Sequence, residues 1–99
     1  MTVNRKPLKK IFNYYNVYII EAGDGTLYTG YTNNLENRIK LHNSGHGAKY
    51  LRGRLPLKLV YKKKYRYFKS AISEEIRIKK LKKHQKIQLI KSYEKHKHK

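Results

Sequence analysis

A tyrosine, an arginine and a histidine lie close together at one predicted junction between a strand and a helix, in the stretch LYTGYTNNLENRIKLHN. Tyr28 and Gly30 lie near the end of the strand, and Arg38 and His42 are four residues apart, on one face of the helix. Arginine can bind a phosphate through two parallel hydrogen bonds, and histidine can hold or move a proton near neutral pH. The same pair would also suit an exposed helix face in a lysine-rich chain, and the spacing leaves both possibilities open.

Carboxylates are scarce, since 6 Asp and Glu residues stand against 25 Lys and Arg residues. Glu74 and Glu75 lie on a predicted helix that is otherwise basic. Magnesium can be held by a single carboxylate whose coordination is completed by water and substrate phosphate. An ion pair from Glu75 to Lys79, one helical turn further on, explains the same residue without a metal and is the simpler interpretation of these residues alone.

The charge of the chain indicates its class of partner. A formal net charge of +19 in 99 residues makes nucleic acid the first partner to consider, before an anionic membrane surface. The absence of cysteine excludes disulfide scaffolds and thiolate zinc sites and is compatible with a reducing compartment. No stretch is long and apolar enough to span a bilayer, and attachment to an anionic surface through the basic tails would lack a clear amphipathic anchor, so we expect a cytoplasmic protein that does not bind membranes.

Ten tyrosines and no tryptophan occur in the chain, and several of the tyrosines are interleaved with lysine and arginine. Such rings could stack on the bases of single-stranded nucleic acid. Tyrosines at the edge of a hydrophobic core would give the same pattern.

The elements that position these residues are predicted in the order β-β-α-β-α-α. This order indicates an α+β fold with a small, mainly antiparallel sheet covered by helices. We predict a flexible basic arm over residues 1–12, one folded domain over residues 13–93 and a basic tail over residues 94–99.

The turn between the first two strands decides which tyrosines share a face of the sheet. A three-residue loop over residues 23–25, with Gly25 in the left-handed region, would place Tyr18 and Tyr28 on one face. A two-residue turn at Asp24 and Gly25 would place the two tyrosines on opposite faces.

The remaining elements follow from capping and periodicity. Asn33 or Asn34 can cap a helix that runs to about residue 43, with a buried stripe formed by Leu35 and Ile39. A third strand follows within residues 57–67.

In that strand, Leu57, Leu59 and Tyr61 alternate with other side chains, which predicts that these three share one face. Ser70 is a plausible cap for a helix over residues 70–81. A last helical stretch carries apolar residues between positions 87 and 93.

Five fragments, taken in order, closely resemble the GIY-YIG nuclease superfamily and its small single-domain bacterial UPF0213 branch. They cover roughly residues 14–91 and read VYII, LYTG, NLENRIKLHN, GHGAKYLRGRLPLKLVY and SAISEEIRIKKLKKHQKIQLI. The chain departs from the family motifs in having Asn16-Val17-Tyr18 for Gly-Ile-Tyr and Tyr28-Thr29-Gly30 for Tyr-Ile-Gly. Lys82 stands where relatives often carry a serine cap before the last helix.

The resemblance implies a three-stranded antiparallel sheet flanked by helices and a nuclease that uses Mg²⁺ or Mn²⁺ to hydrolyse phosphodiester bonds. It implies that Tyr18 activates the attacking water, that Tyr28 contacts phosphate or water, and that Arg38 stabilises the transition-state phosphate. It further implies that His42 supports proton transfer and that Glu75 binds the metal. The expected substrate is DNA, branched or nicked, with RNA also possible.

We also expect contacts to nucleic acid outside these five residues. They are Gly30, Asn34, Lys49, Tyr50, Arg52, Arg54, Lys79 and Lys80. Members of the superfamily commonly act with a targeting domain, which implies a targeting protein as a partner. The alternative is a non-catalytic nucleic-acid-binding protein that retains the fold.

Overall fold

The computed structural model of the chain describes residues 14–97, apart from the side chain of Tyr50. The predicted arm over residues 1–12 and the last two residues of the predicted tail therefore lie outside the described residues. The predicted order of elements is confirmed, with one short 3-10 helix added after the first helix. The elements are β1 (Tyr15–Glu21), β2 (Leu27–Thr32), α1 (Leu35–Asn43), the 3-10 helix (Lys49–Leu51), β3 (Lys58–Tyr65), α2 (Phe68–Lys79) and α3 (Lys83–Lys97).

The hairpin between β1 and β2 has the three-residue loop, residues 23–25. Gly25 takes a left-handed φ of +86°, which glycine adopts without the steric cost of a Cβ atom. With this loop, Tyr18 pairs across the strands with Gly30, and Tyr28 pairs with Ile20, which lies two residues after Tyr18 and on the same face. Both tyrosines therefore lie on one face of the sheet.

The sheet has the order β2-β1-β3, and both outer strands run antiparallel to β1. Helix α1 covers one side, called here the α1 face, where Leu35 and Ile39 form the predicted stripe. Helices α2 and α3 cover the other side, called here the α2/α3 face. The buried hydrophobic residues of the α1 face are Tyr18, Ile20, Ala22 and Leu51. Those of the α2/α3 face are Val17, Ile19, Tyr61, Ala71 and Ile78.

The alternation predicted along β3 is wrong at one position. Ile19 pairs with Tyr61, but the next residue, Ile20, pairs with Leu59, so Val60 is an extra residue in β3. A β-bulge of this kind places two residues opposite one and shifts the alternation of side chains. Leu59 therefore packs on the α1 face and Tyr61 on the α2/α3 face.

Helix α2 begins earlier than predicted. Its first residue is Phe68, Tyr67 before it provides no side-chain cap, and Ser70, the predicted cap, lies inside the first turn. The ring of Phe68 packs edge-on against Tyr15 and Tyr31, with ring centroids 5.4 and 5.8 Å away. Aromatic packing against the sheet, rather than a cap, holds this end of the helix.

Helix α3 follows Lys82, which has no side-chain oxygen to serve as a cap. The backbone N–H of Lys82 instead donates to Oε1 of Gln85 at 2.8 Å, which is one half of a capping box. The helix continues to Lys97 and so includes residues 94–97 of the predicted basic tail. Among residues 14–97, no helix has the length and apolar character needed to cross a membrane.

Candidate functional site

Four of the five predicted catalytic side chains line one cleft of about 360 Å³ at the carboxyl end of β2. They come from four elements: Tyr18 from β1, Tyr28 from β2, Arg38 from α1 and Glu75 from α2. Because β2 is an edge strand, helices on opposite faces of the sheet can both reach this end of it. These four side chains thus bring two phenols, a guanidinium and a carboxylate to one cleft.

The cap of α1 fixes where its side chains lie. The side-chain oxygen of Asn34 accepts the backbone N–H of Asn37 at 3.1 Å, so Asn34 is the cap, and Asn33 lines the cleft. A helix that starts there brings Arg38 to the cleft one turn later and His42 to the sheet one turn after that. The local capping signal therefore sets the geometry of the site.

His42 lies beneath the cleft and is only 2% exposed. Its Nε2 atom is 3.0 Å from the phenol oxygen of Tyr18, and its ring packs edge-on against Tyr28 at 5.7 Å. Burial, followed by the positive charge of Arg38, lowers the pKa of His42. Both effects favour the neutral imidazole over the imidazolium.

The phenol of Tyr18 is closely packed against Gly30. A Cβ atom at position 30 would lie 2.7 Å from the Tyr18 oxygen, so only glycine fits there without displacing the phenol. Burial raises the pKa of Tyr18, and the neighbouring phenol of Tyr28 raises it further. The charge and hydrogen bond of Arg38 lower the pKa of Tyr18. Burial is the largest of these effects, so the phenol is protonated in the resting protein.

Two adjacent carboxylates on α2 have different surroundings. Glu74 accepts two hydrogen bonds from the guanidinium of Arg77, at 2.9 and 2.6 Å, and these bonds lower the pKa of Glu74. Glu75 lines the cleft, its side chain is 12% exposed, and its carboxylate lies 3.4 Å from Nζ of Lys79. The predicted ion pair is therefore present, and the same carboxylate also faces the cleft.

The chemistry of the cleft fits a hard cation held by few protein ligands. Within residues 14–97, no group of three or more histidine, cysteine or acidic side chains could enclose a metal ion. Magnesium commonly binds through one or two carboxylates and keeps water or substrate phosphate in its other positions. Glu75 provides one such carboxylate beside the groups that would receive a phosphate.

The basic loop after α1 holds four of the predicted nucleic-acid contacts. Lys49 and Arg52 are exposed and do not line the cleft, and the side chain of Tyr50 lies outside the described residues. The guanidinium of Arg54 donates to the carboxylate of Asp24 at 2.5 Å and so links this loop to the hairpin.

The other four residues predicted to contact nucleic acid lie in different parts of the fold, and they differ in whether they line the cleft. Gly30 lines the cleft, whereas the side chain of Asn34 serves as a helix cap. Lys79 contacts Glu75, and Lys80 is exposed at the carboxyl end of α2. Only Gly30 among these four is part of the cleft wall.

One wall of the cleft consists of aromatic rings that were not predicted as part of the site. Tyr15, Tyr31 and Phe68 line it, and Phe68 is 48% exposed. The many tyrosines interleaved with basic residues are a general signal for such a surface. The particular rings depend on where α2 begins, which the sequence pattern placed too late.

This fold and cleft define a class of protein that sequence comparison also identifies. The family model for the GIY-YIG catalytic domain matches residues 14–88. A UPF0213 protein of Clostridium perfringens is 58% identical over 76 residues, which is 77% of this chain and 82% of that protein. A UPF0213 protein of Oceanobacillus iheyensis is 51% identical over 74 residues, which is 75% of this chain and 86% of that protein. The chain therefore belongs to the UPF0213 branch of the GIY-YIG family, a nuclease-type domain.

Solved structures agree with this assignment. The solution NMR structure of a UPF0213 protein from Bacillus halodurans has a TM-score of 0.54 and 44% identity, over 79% of this chain and 83% of that one. A second NMR structure, of a protein from E. faecalis, has a TM-score of 0.60 and 36% identity, over 82% of this chain and 86% of that one.

Proposed function

We propose that the chain is a metal-dependent endonuclease domain that hydrolyses phosphodiester bonds in DNA. The convergence of Tyr18, Arg38 and Glu75 on one cleft, from three different elements, is the observation that supports this proposal most directly. Phosphodiester hydrolysis needs an activated water, positive charge beside the phosphoryl oxygens and stabilisation of the leaving oxygen. The cleft contains a candidate group for each requirement.

Each of the polar residues in the cleft has a proposed role. Arg38 binds the scissile phosphate, because its guanidinium can donate two parallel hydrogen bonds. Tyr18 first releases its phenol proton to water in the open cleft and then, as its phenolate, removes a proton from the attacking water; Arg38 favours the phenolate by its charge and hydrogen bond. Tyr28, whose ring centroid lies 6.4 Å from that of Tyr18, contacts the phosphate or the water.

Glu75 is the proposed ligand of Mg²⁺ or Mn²⁺. When bound, the ion would supply positive charge to the phosphoryl and leaving oxygens. Glu75 faces the same cleft as Arg38, so the carboxylate and the guanidinium would approach one phosphate from opposite faces of the sheet.

The proposed specificity is low, or directed by the structure of the substrate, as in branched or nicked DNA. The net charge of +19 favours contacts to phosphates, which position a protein on nucleic acid without reading its sequence. A targeting protein would then supply any further selectivity, and the chain would be weakly active without it.

A cleavage assay with adjacent acidic variants tests the proposal. The purified chain is incubated with nicked, branched and single-stranded DNA, and with RNA, in the presence of Mg²⁺ or Mn²⁺. Glu75→Gln is expected to lower cleavage by about 100-fold or more while DNA binding persists. Glu74→Gln is the matched control, because it makes the same change one residue away at a carboxylate bonded to Arg77; it should retain cleavage within about threefold.

Other outcomes would contradict the proposal. Salt-sensitive binding without cleavage of any substrate by the wild-type chain would favour the alternative, a non-catalytic nucleic-acid-binding protein. An equal loss in both variants would assign the effect to the stability of α2 rather than to the cleft. Cleavage of RNA alone would change the substrate from DNA to RNA.

A further inference from the structure

His42 makes a second hydrogen bond, on the side of its ring away from Tyr18. The backbone N–H of Ala48 donates to Nδ1 of His42 at 3.1 Å. A backbone N–H can only donate, so Nδ1 must be the acceptor and carries no proton. In a neutral imidazole the single proton then resides on the other nitrogen, Nε2.

This assignment determines the direction of the bond to Tyr18. Nε2 of His42 carries the proton and lies 3.0 Å from the phenol oxygen, so His42 donates and Tyr18 accepts. Arg38, which also hydrogen-bonds to Tyr18, can likewise only donate. The phenol oxygen therefore accepts from His42 and has the guanidinium of Arg38 as a second donor.

We infer that the backbone of Gly47 and Ala48 fixes His42 as a hydrogen-bond donor, which stabilises negative charge on the oxygen of Tyr18 and cannot accept the proton of that phenol. The catalytic meaning of this inference rests on the proposed function, whereas the tautomer itself does not. It differs from the role in proton transfer that the resemblance implied for His42. Gly47 and Ala48 become positioning residues of the site.

Gly47 is needed for the loop to lie against the imidazole. A Cβ atom at position 47 would overlap Nδ1 of His42 and lie 2.8 Å from its Cα atom. The backbone N–H of the next residue, Ala48, could then no longer reach Nδ1. The segment Gly47-Ala48 thus acts on Tyr18 through His42, although neither residue lines the cleft.

The tautomer can be measured directly in the wild-type chain without substrate. Long-range ¹H–¹⁵N NMR correlation spectra distinguish a proton on Nε2 from a proton on Nδ1 and from the imidazolium. We expect the Nε2–H form for His42 at neutral pH. A proton on Nδ1, or a cationic ring, would overturn the inference whether or not the chain cleaves DNA.

Two substitutions of His42 separate donation from proton transfer. Glutamine retains an N–H donor but cannot take up a proton, and leucine can do neither. We expect His42→Gln to cleave at least about tenfold faster than His42→Leu, corresponding to one hydrogen bond to a charged group. Equal loss in two folded variants would assign proton transfer to His42 and overturn the inference.

Substitution of Gly47 tests the positioning role. Gly47→Ala should shift the ¹⁵N signals of His42 away from the Nε2–H pattern and lower cleavage by about tenfold or more. Gly45→Ala is the matched control: it is in the same loop, and a Cβ there meets no atom within 4 Å, although its φ of +83° makes the substitution strained. It should destabilise the chain and leave the His42 signals unchanged. If Gly47→Ala also leaves them unchanged, the loop does not fix the tautomer.

The outcomes distinguish this inference from the proposed function. If no substrate is cleaved, the proposed function fails, while the NMR spectrum still decides the tautomer. If cleavage occurs and the spectrum shows the other tautomer, the inference fails and the proposed function stands.

Discussion

The two faces of the sheet bury different kinds of side chain. The α2/α3 face packs aliphatic and aromatic residues such as Val17, Ile19 and Ile78, each fully buried. The α1 face buries the imidazole of His42 against the phenol of Tyr18, and these are 2% and 0% exposed, whereas the polar groups buried on the α2/α3 face are the phenol of Tyr61 and the hydroxyl of Thr29. Burial of apolar surface stabilises a fold without directional requirements, whereas buried polar groups need partners.

The α1 face meets that requirement through a short hydrogen-bonded chain. Ala48 donates to His42, and His42 lies within hydrogen-bonding distance of Tyr18. An unpaired polar group in the same place would cost about 1–3 kcal/mol. A Cβ atom at Gly30 or Gly47 would clash with these groups, so the positions of Tyr18 and His42 depend on both glycines.

The cleft draws on both faces. Tyr18 and Arg38 reach it from the α1 face, and Glu75 reaches it from α2 on the other side. The more apolar face therefore supports the proposed metal ligand, and the more polar face supports the phenol. The comparison predicts that loss of apolar side chains from the α2/α3 face mainly lowers stability, and that changes to the hydrogen-bonded groups of the α1 face mainly affect chemistry.

The largest expected effect on stability comes from the α2/α3 face. Ile78→Ala should lower the free energy of unfolding by about 2–5 kcal/mol, because it leaves a cavity at a fully buried position. Urea unfolding measures this loss. Ile76→Ala, on the same helix and 46% exposed, is the matched control and should cost less than about 1 kcal/mol.

Ile78→Ala also tests whether the two faces of the sheet are independent of each other. Under conditions where Ile78→Ala is folded, His42 should keep its Nε2–H signals, because its partners belong to the α1 face. A changed tautomer in Ile78→Ala, with no change in Ile76→Ala, would mean that the two faces are not independent.

A smaller effect is expected from pH, and it should come from the α1 face. Burial lowers the pKa of His42, so the unfolded chain takes up a proton at a higher pH than the folded chain does. The resulting stability is fully present above the unfolded pKa of about 6.5 and is lost as the pH falls below it. Urea unfolding at a series of pH values measures this change in the free energy of unfolding. The series runs from about 8 to about 5, roughly the range in which histidine titrates.

Substitution of His42 should remove this dependence. In His42→Gln, the free energy of unfolding should fall less steeply with decreasing pH than in the wild-type chain. His84→Gln, at an exposed position on α3, is the control and should keep the wild-type slope. Identical slopes in all three proteins would mean that the imidazole is not held neutral by burial.

Features encoded by neighbouring residues could be predicted from the sequence. The three-residue loop with Gly25 fixed the register that places Tyr18 and Tyr28 on one face, and the cap at Asn34 fixed the start of α1. From those two local signals, Arg38 and His42 could be placed near Tyr28. The two candidate caps and the two candidate loops needed the structure to decide between them.

Features that depend on distant contacts could not be predicted. The bulge at Val60 depends on pairing with β1, and the start of α2 depends on the packing of Phe68 against Tyr15. The donor role of His42 depends on a backbone N–H six residues away, at Ala48, which no side-chain pattern reveals.

The smallest expected effect lies at the start of α3. Gln85→Ala removes the acceptor for the backbone N–H of Lys82 and should lower the free energy of unfolding by about 0.5–1.5 kcal/mol. Gln88→Ala, at an exposed position in the same helix, is the control and should be nearly neutral, because alanine is at least as good a helix former as glutamine. Both variants should leave the His42 signals unchanged, since the apolar residues of α3 pack on the face opposite α1. Equal stability of the two variants would mean that packing alone, without the capping bond, holds the first turn of α3.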